Sequence, residues 1–132
     1  MTKTLTKAEI LAVPLATEAV DVPEWGGTVK VRVMSGLERD QFDRVVASKS
    51  NVDGKVTDPS GFKSLLVRLT VCNDDGELLF SQDDVSELDG TNGSALERVA
   101  FAAMAINGLS PNGVKGMEEN SSAALNASSG SD

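Results

Sequence analysis

Apolar positions change their spacing several times along the chain, and each change predicts an element. Thr6-Lys7-Ala8-Glu9 has capping-box spacing, which lets Thr6 and Glu9 each satisfy a free backbone N–H. It opens a short helix to about Val13, stopped by Pro14. Val20 and Val22 flank Asp21, and Val29, Val31 and Val33 alternate with Lys30 and Arg32. That period of two predicts strands with one apolar face. Between them, Pro23-Glu24-Trp25-Gly26-Gly27 offers two glycines for the positive φ of a reversal, so the pair reads as a β-hairpin.

Ser35-Gly36-Leu37-Glu38 is a second capping box, opening a helix to about Ser48 with Leu37, Phe42, Val45 and Val46 on its apolar side. Asn51–Gly54 is a loop. Asp58 is expected to cap the next helix, with Pro59 at its first position, where the missing N–H does no harm. Phe62, Leu65, Leu66 and Leu69 follow helical spacing in a segment that runs to Cys72, with Lys63, Ser64 and Arg68 opposite. Asn73-Asp74-Asp75-Gly76 is a turn, Glu77–Phe80 an extended stretch, Ser81–Leu88 a short helix and Asp89–Gly93 a loop. Ser94 and Glu97 form a capping box for the last helix, which Asn107-Gly108 ends.

From Ser110 onward the chain is Ser, Asn, Ala and Gly with few large apolar residues, a composition that cannot repay its ordering entropy. The expected organisation is one domain over 1–109 and a flexible tail over 110–132. The fold class is α+β: an N-terminal β-hairpin packed on a mainly α-helical body of about four to five helices. A lone hairpin is marginal in water. Its valines are therefore expected to dock on the Gly36–Ser48 and Phe62–Cys72 helices.

Composition narrows the function. A chain of 132 residues, 40% of them apolar, folds as one domain without needing a metal or disulfide. A net charge of −8 disfavours nucleic acid and anionic membranes, which call for clustered Lys and Arg, and suits basic protein surfaces. The single cysteine, Cys72, permits no intrachain disulfide and fits a reducing compartment. No signal peptide or membrane span is read.

Histidine and tyrosine are both absent, which removes the commonest acid–base group and the commonest transition-metal ligand. An EF-hand with Gly76 at its sixth position would place Val71 first and Gln82 last, and neither carries the required carboxylate. Cys72 lacks a histidine partner and reads as a small buried hydrophobe. No catalytic residue, metal ligand or cofactor is assigned. The chain reads as a protein that holds other proteins.

Three features bear on how it holds them. Asn73–Glu97 contains eight acidic residues and no Lys or Arg, which is either an acidic docking face or, more plainly, a solvated surface. Trp25, the only tryptophan, either anchors a partner or folds back over the hairpin valines. Val99–Ile106 is apolar nearly all round, so it is either the central core helix or has one face covered by another subunit. The candidate interaction residues are Trp25, Val99, Phe101, Met104 and Ile106.

Two stretches carry a resemblance. Asp21-Val22-Pro23-Glu24-Trp25-Gly26-Gly27-Thr28-Val29-Lys30-Val31-Arg32 and Met34-Ser35-Gly36-Leu37-Glu38-Arg39-Asp40-Gln41-Phe42-Asp43 resemble tail assembly chaperones of long-tailed bacteriophages. Leu5–Leu11 fits the same layout, and from there to Gly108 the likeness is one of helical order and length. The resemblance implies a protein of the host bacterial cytoplasm. It would bind and solubilise the tape measure protein, help recruit tail tube subunits, and be absent from the finished virion. It also implies self-association into a homo-oligomer, and a longer form, made by ribosomal frameshift, that engages tube protein. The alternative is a small structural tail or connector protein retained in the virion.

Overall fold

The computed structural model describes residues 2–109, and the expected tail over 110–132 lies outside them. Thr6 caps the first helix, α1 (Lys7–Ala12): the Glu9 N–H donates to Thr6 Oγ1 at 3.2 Å and the Thr6 N–H to Glu9 Oε1 at 2.9 Å. Strands β1 (Thr17–Val22) and β2 (Gly27–Arg32) pair antiparallel, with Val20 opposite Val29 and Thr17 opposite Arg32. A turn of 3₁₀ helix over Pro23–Trp25 joins them. Gly26 takes φ +76°, whereas Gly27 enters the strand without a positive φ, so one glycine makes the reversal rather than two.

The hairpin is part of a three-stranded sheet. Helix α3 (Phe62–Thr70) stops two residues before Cys72, and Val71–Cys72 forms a short strand, β3, antiparallel to β2 in the order β1-β2-β3. The Val71 carbonyl also accepts from the Leu79 N–H at 3.0 Å, and Cys72 bridges Leu78, which holds part of the predicted extended stretch against β3. Directly opposed residues share a sheet face. Val20, Val22, Val29, Val31 and Val71 therefore line one face, and Val22, Val31 and Val71 are buried.

Helix α2 (Gly36–Ser48) has the predicted capping box: the Ser35 N–H donates to Glu38 Oε1 at 2.9 Å and the Glu38 N–H to Ser35 Oγ at 3.2 Å. Phe42 is buried, Val45 and Val46 pack at the edge of the core, and Leu37 is exposed rather than part of the apolar side.

Two predicted helix starts are displaced. Asp58 does not cap a helix: its carboxylate accepts from the Ser60 N–H at 3.1 Å and from the Ser60 hydroxyl. That local turn is followed by Gly61 at φ +82°, so α3 begins at Phe62. The last helix, α5 (Gly93–Ile106), is capped by Asn92, whose Oδ1 accepts from the Ala95 N–H at 2.9 Å, two residues ahead of the expected Ser94. Between them, Ser81 caps a 3₁₀ turn that leads into α4 (Val85–Asp89).

Helix α3 is the most enclosed element. It buries Phe62, Leu65, Leu66, Val67 and Leu69, and also Ser64, whose hydroxyl donates to Asp89. That hydrogen bond keeps Ser64 inside, where periodicity placed it outside. Helix α5 covers the sheet's apolar face and packs on α3, so the hairpin docks mainly on α5, with α3 second, while α2 is joined to β2 by the Arg32–Glu38 ion pair. The sheet, α3 and α5 thus share one core.

Candidate interaction surfaces

Helix α5 separates the candidate residues by their place on its faces. Ala95, Leu96, Val99, Ala100, Ala103 and Met104 point inward. Val99 and Met104 are 0% exposed, so both belong to the domain's own core and neither is presented to a partner. Phe101 is 41% exposed on the opposite side, and Ile106 is half-buried at the helix end. The segment looks apolar all round because Ala102 packs at the edge of the core and the exposed Ala105 is a single methyl group that water tolerates. Sheet and α3 cover its inner face, and Phe101 remains outside.

The end of α5 is fixed by Asn107. The Leu109 N–H donates to the Met104 carbonyl at 2.8 Å and the Gly108 N–H to that of Ala105 at 3.2 Å, with Gly108 at φ +73°. This is a Schellman closure. The Asn107 side chain reaches back to the sheet, accepting from the Met34 N–H at 2.7 Å and donating to the Arg32 carbonyl at 3.3 Å.

Trp25 lies at the hairpin tip, half-buried against the core. It does two things at once: part of its indole covers the core, and part lines a groove of about 230 Å³ with Phe80, Leu88, Asp84, Glu87 and Thr91. The floor is apolar, and Asp84 and Glu87 place negative charge at the rim. Glu24, beside Trp25, is held by Arg98 of α5, whose guanidinium draws the carboxyl below its ordinary pKa. The groove falls inside the acidic Asn73–Glu97 stretch, which therefore contributes to a shaped surface.

The N-terminal arm presents a surface that periodicity did not flag. Helix α1 buries no residue. Leu5, Ile10, Leu11, Val13 and Leu15 are exposed by 51, 54, 74, 64 and 41%. Spacing alone makes Ile10 and Leu11 look like an ordinary core-facing pair. Pro14 ends α1 after six residues, but length does not set it apart, since α4 buries Leu88 with five.

Other chemistry is sparse. Cys72 is buried in β3, and burial pushes its thiol pKa up. Among the described residues no three His, Cys, Asp or Glu side chains gather to hold a metal, and no helix is long and apolar enough to cross a membrane.

Comparisons with known proteins agree on one direction. The family model for phage tail assembly chaperones matches residues 12–123. Among solved structures, the tail assembly chaperone of bacteriophage HK97 superposes with a TM-score of 0.54 at 25% identity, covering 70% of this chain and 85% of that one. No curated protein sequence matches.

Proposed function

The chain belongs to the phage tail assembly chaperone family, whose members are assembly helpers rather than enzymes, and from that premise we propose that its cargo is the tape measure protein. A chaperone of this kind acts in the infected host cell on tail proteins. In this reading the chain binds the tape measure in the host cytoplasm, keeps it soluble, helps recruit tail tube subunits, and leaves before the virion is complete.

The observation that carries the reading is Phe101. It is a large aromatic side chain, 41% exposed, on the outer side of α5, with Ala105 one turn after it and Glu97 and Arg98 one turn before it. Such an exposed aromatic side chain suits an amphipathic cargo helix, as an anchor for its apolar face. One anchor binds weakly. Many copies that associate with one another along a long cargo bind strongly, because each added contact is intramolecular. The net charge of −8 keeps such an assembly in solution. The working unit is the domain over 1–109, and residues 110–132 are the junction to a longer, frameshifted product that engages the tube protein.

Co-expression with the tape measure protein tests this. The tape measure should move from the insoluble to the soluble fraction when this chain is present and co-purify with it. Equal insolubility with and without the chain rejects the reading. Abundant peptides of this chain in purified virions would instead indicate a retained structural component.

A further inference from the structure

We infer that the N-terminal arm, Leu5–Leu15, of one copy docks in the Trp25–Phe80–Leu88 groove of a second copy. The inference specifies the contact behind the self-association proposed above and rests on that self-association.

The two surfaces match in chemistry. The arm exposes five large aliphatic side chains within eleven residues and buries none of α1. The groove offers an apolar floor of Trp25, Phe80 and Leu88. Charge agrees as well. Lys7, in the first turn of α1, has no carboxylate partner among the described residues. The groove's rim carries Asp84 and Glu87 in a stretch without a single Lys or Arg.

Topology directs the arm outward. The Ala16 carbonyl accepts from the Val33 N–H at 2.9 Å, and Thr17 pairs with Arg32, so the arm leaves at the sheet end far from Trp25. The groove lies about 20 Å away along β1, at some 3.4 Å per residue. Val13–Leu15, the link between α1 and the pinned Ala16, spans about 10 Å even when fully extended. Ile10 and Leu11 therefore fall short of their own groove, while a neighbour's groove is open to them. Donor and acceptor surfaces at opposite ends of the sheet make a head-to-tail contact, which continues from copy to copy instead of closing on itself.

The test uses the full chain, two variants at exposed positions (Ile10→Asp with Leu11→Asp in the arm, and Glu87→Arg at the groove), and an equimolar mixture of the two variants. Sedimentation gives mass against concentration, and emission of the sole tryptophan, Trp25, reports occupancy of the groove directly. The unaltered chain should gain mass with concentration while Trp25 emission moves to the blue. The arm variant should associate at least about a hundredfold more weakly, as expected for losing two buried aliphatic contacts. It should lose the emission shift while its circular dichroism is unchanged. The mixture should form a dimer that goes no further, because one intact arm meets one intact groove. An unaltered chain of constant monomer mass overturns both the arm contact and self-association. An arm variant that assembles like the unaltered chain overturns the arm contact alone.

Discussion

Arg98, on α5, grips Glu24 at the hairpin tip with two hydrogen bonds, Nε to Oε1 at 3.1 Å and Nη2 to Oε2 at 2.7 Å, across 74 residues of sequence. A two-pronged guanidinium–carboxylate pair fixes direction as well as distance. Its effect is to hold the turn that carries Trp25 against α5 and alongside the groove.

The pair has a pH signature. The Arg98 contact lowers the Glu24 pKa below its ordinary 4.5, so this contribution is fully present above that value and fades as pH falls through the lowered one. Trp25 emission followed downward from neutral pH should stay flat past the ordinary carboxylate value of 4.5 and change only below it, as Glu24 takes up its proton. Arg98→Gln should show the loosened emission already at neutral pH and no step in the acid range. Global stability should scarcely differ, because the pair is solvent-exposed.

Asn107 should matter for stability. Asn107→Ala leaves the Met34 N–H and the Arg32 carbonyl without their side-chain partner and removes the tie between α5 and the end of β2. The expected loss is about 1–3 kcal/mol, read from urea unfolding. Asn107→Asp keeps the acceptor for Met34 but loses the amide donations to the Arg32 and Ala103 carbonyls, and should fall between the unaltered chain and Asn107→Ala.

Met104 and Phe101 stand three residues apart on one helix and should behave oppositely. Met104→Ala opens a cavity in the core and should cost about 2–5 kcal/mol. Phe101→Ala removes a side chain that is 41% exposed and should change the melting temperature little. It should instead lower the fraction of tape measure kept soluble. Loss of solubilisation by Met104→Ala alone, under conditions where it stays folded, would move the cargo surface away from Phe101.

Gly61 sets the start of α3. Its φ of +82° lies in the left-handed region, and a Cβ there would meet no atom within 4 Å. The cost of Gly61→Ala is then backbone strain alone, about 1–2 kcal/mol by chemical denaturation. Gly93→Ala, at the first residue of α5 and without a positive φ, is the control and should cost far less.

Local signals were legible and long-range ones were not. The Thr6–Glu9 and Ser35–Glu38 boxes need only four residues, and both form as read. Asp58 looks like the same kind of signal, but its carboxylate finds a nearer donor in Ser60, and Gly61 resets the path. Strand β3 is two residues long, too short to show a period, and exists only because β2 lies beside it. Helix α5 reads as apolar all round because alanine counts as apolar in composition, yet Ala105 shows water only a methyl group. The arm shows the reverse: Ile10 and Leu11 have core-like spacing and no core beneath them. Trp25 was posed as anchor or cover, and sequence had no means of showing that one ring has two sides.

Cys72 gives the fold a built-in clock. It is the only cysteine, it is 3% exposed, and it sits in the strand that joins β2 to the segment around Leu78. A thiol reagent reaches it only while β3 is lifted away, so the labelling rate counts those openings one molecule at a time. Cargo or a neighbouring copy that tightens the sheet will slow the clock. One that levers the sheet apart will speed it, whichever surface it touches.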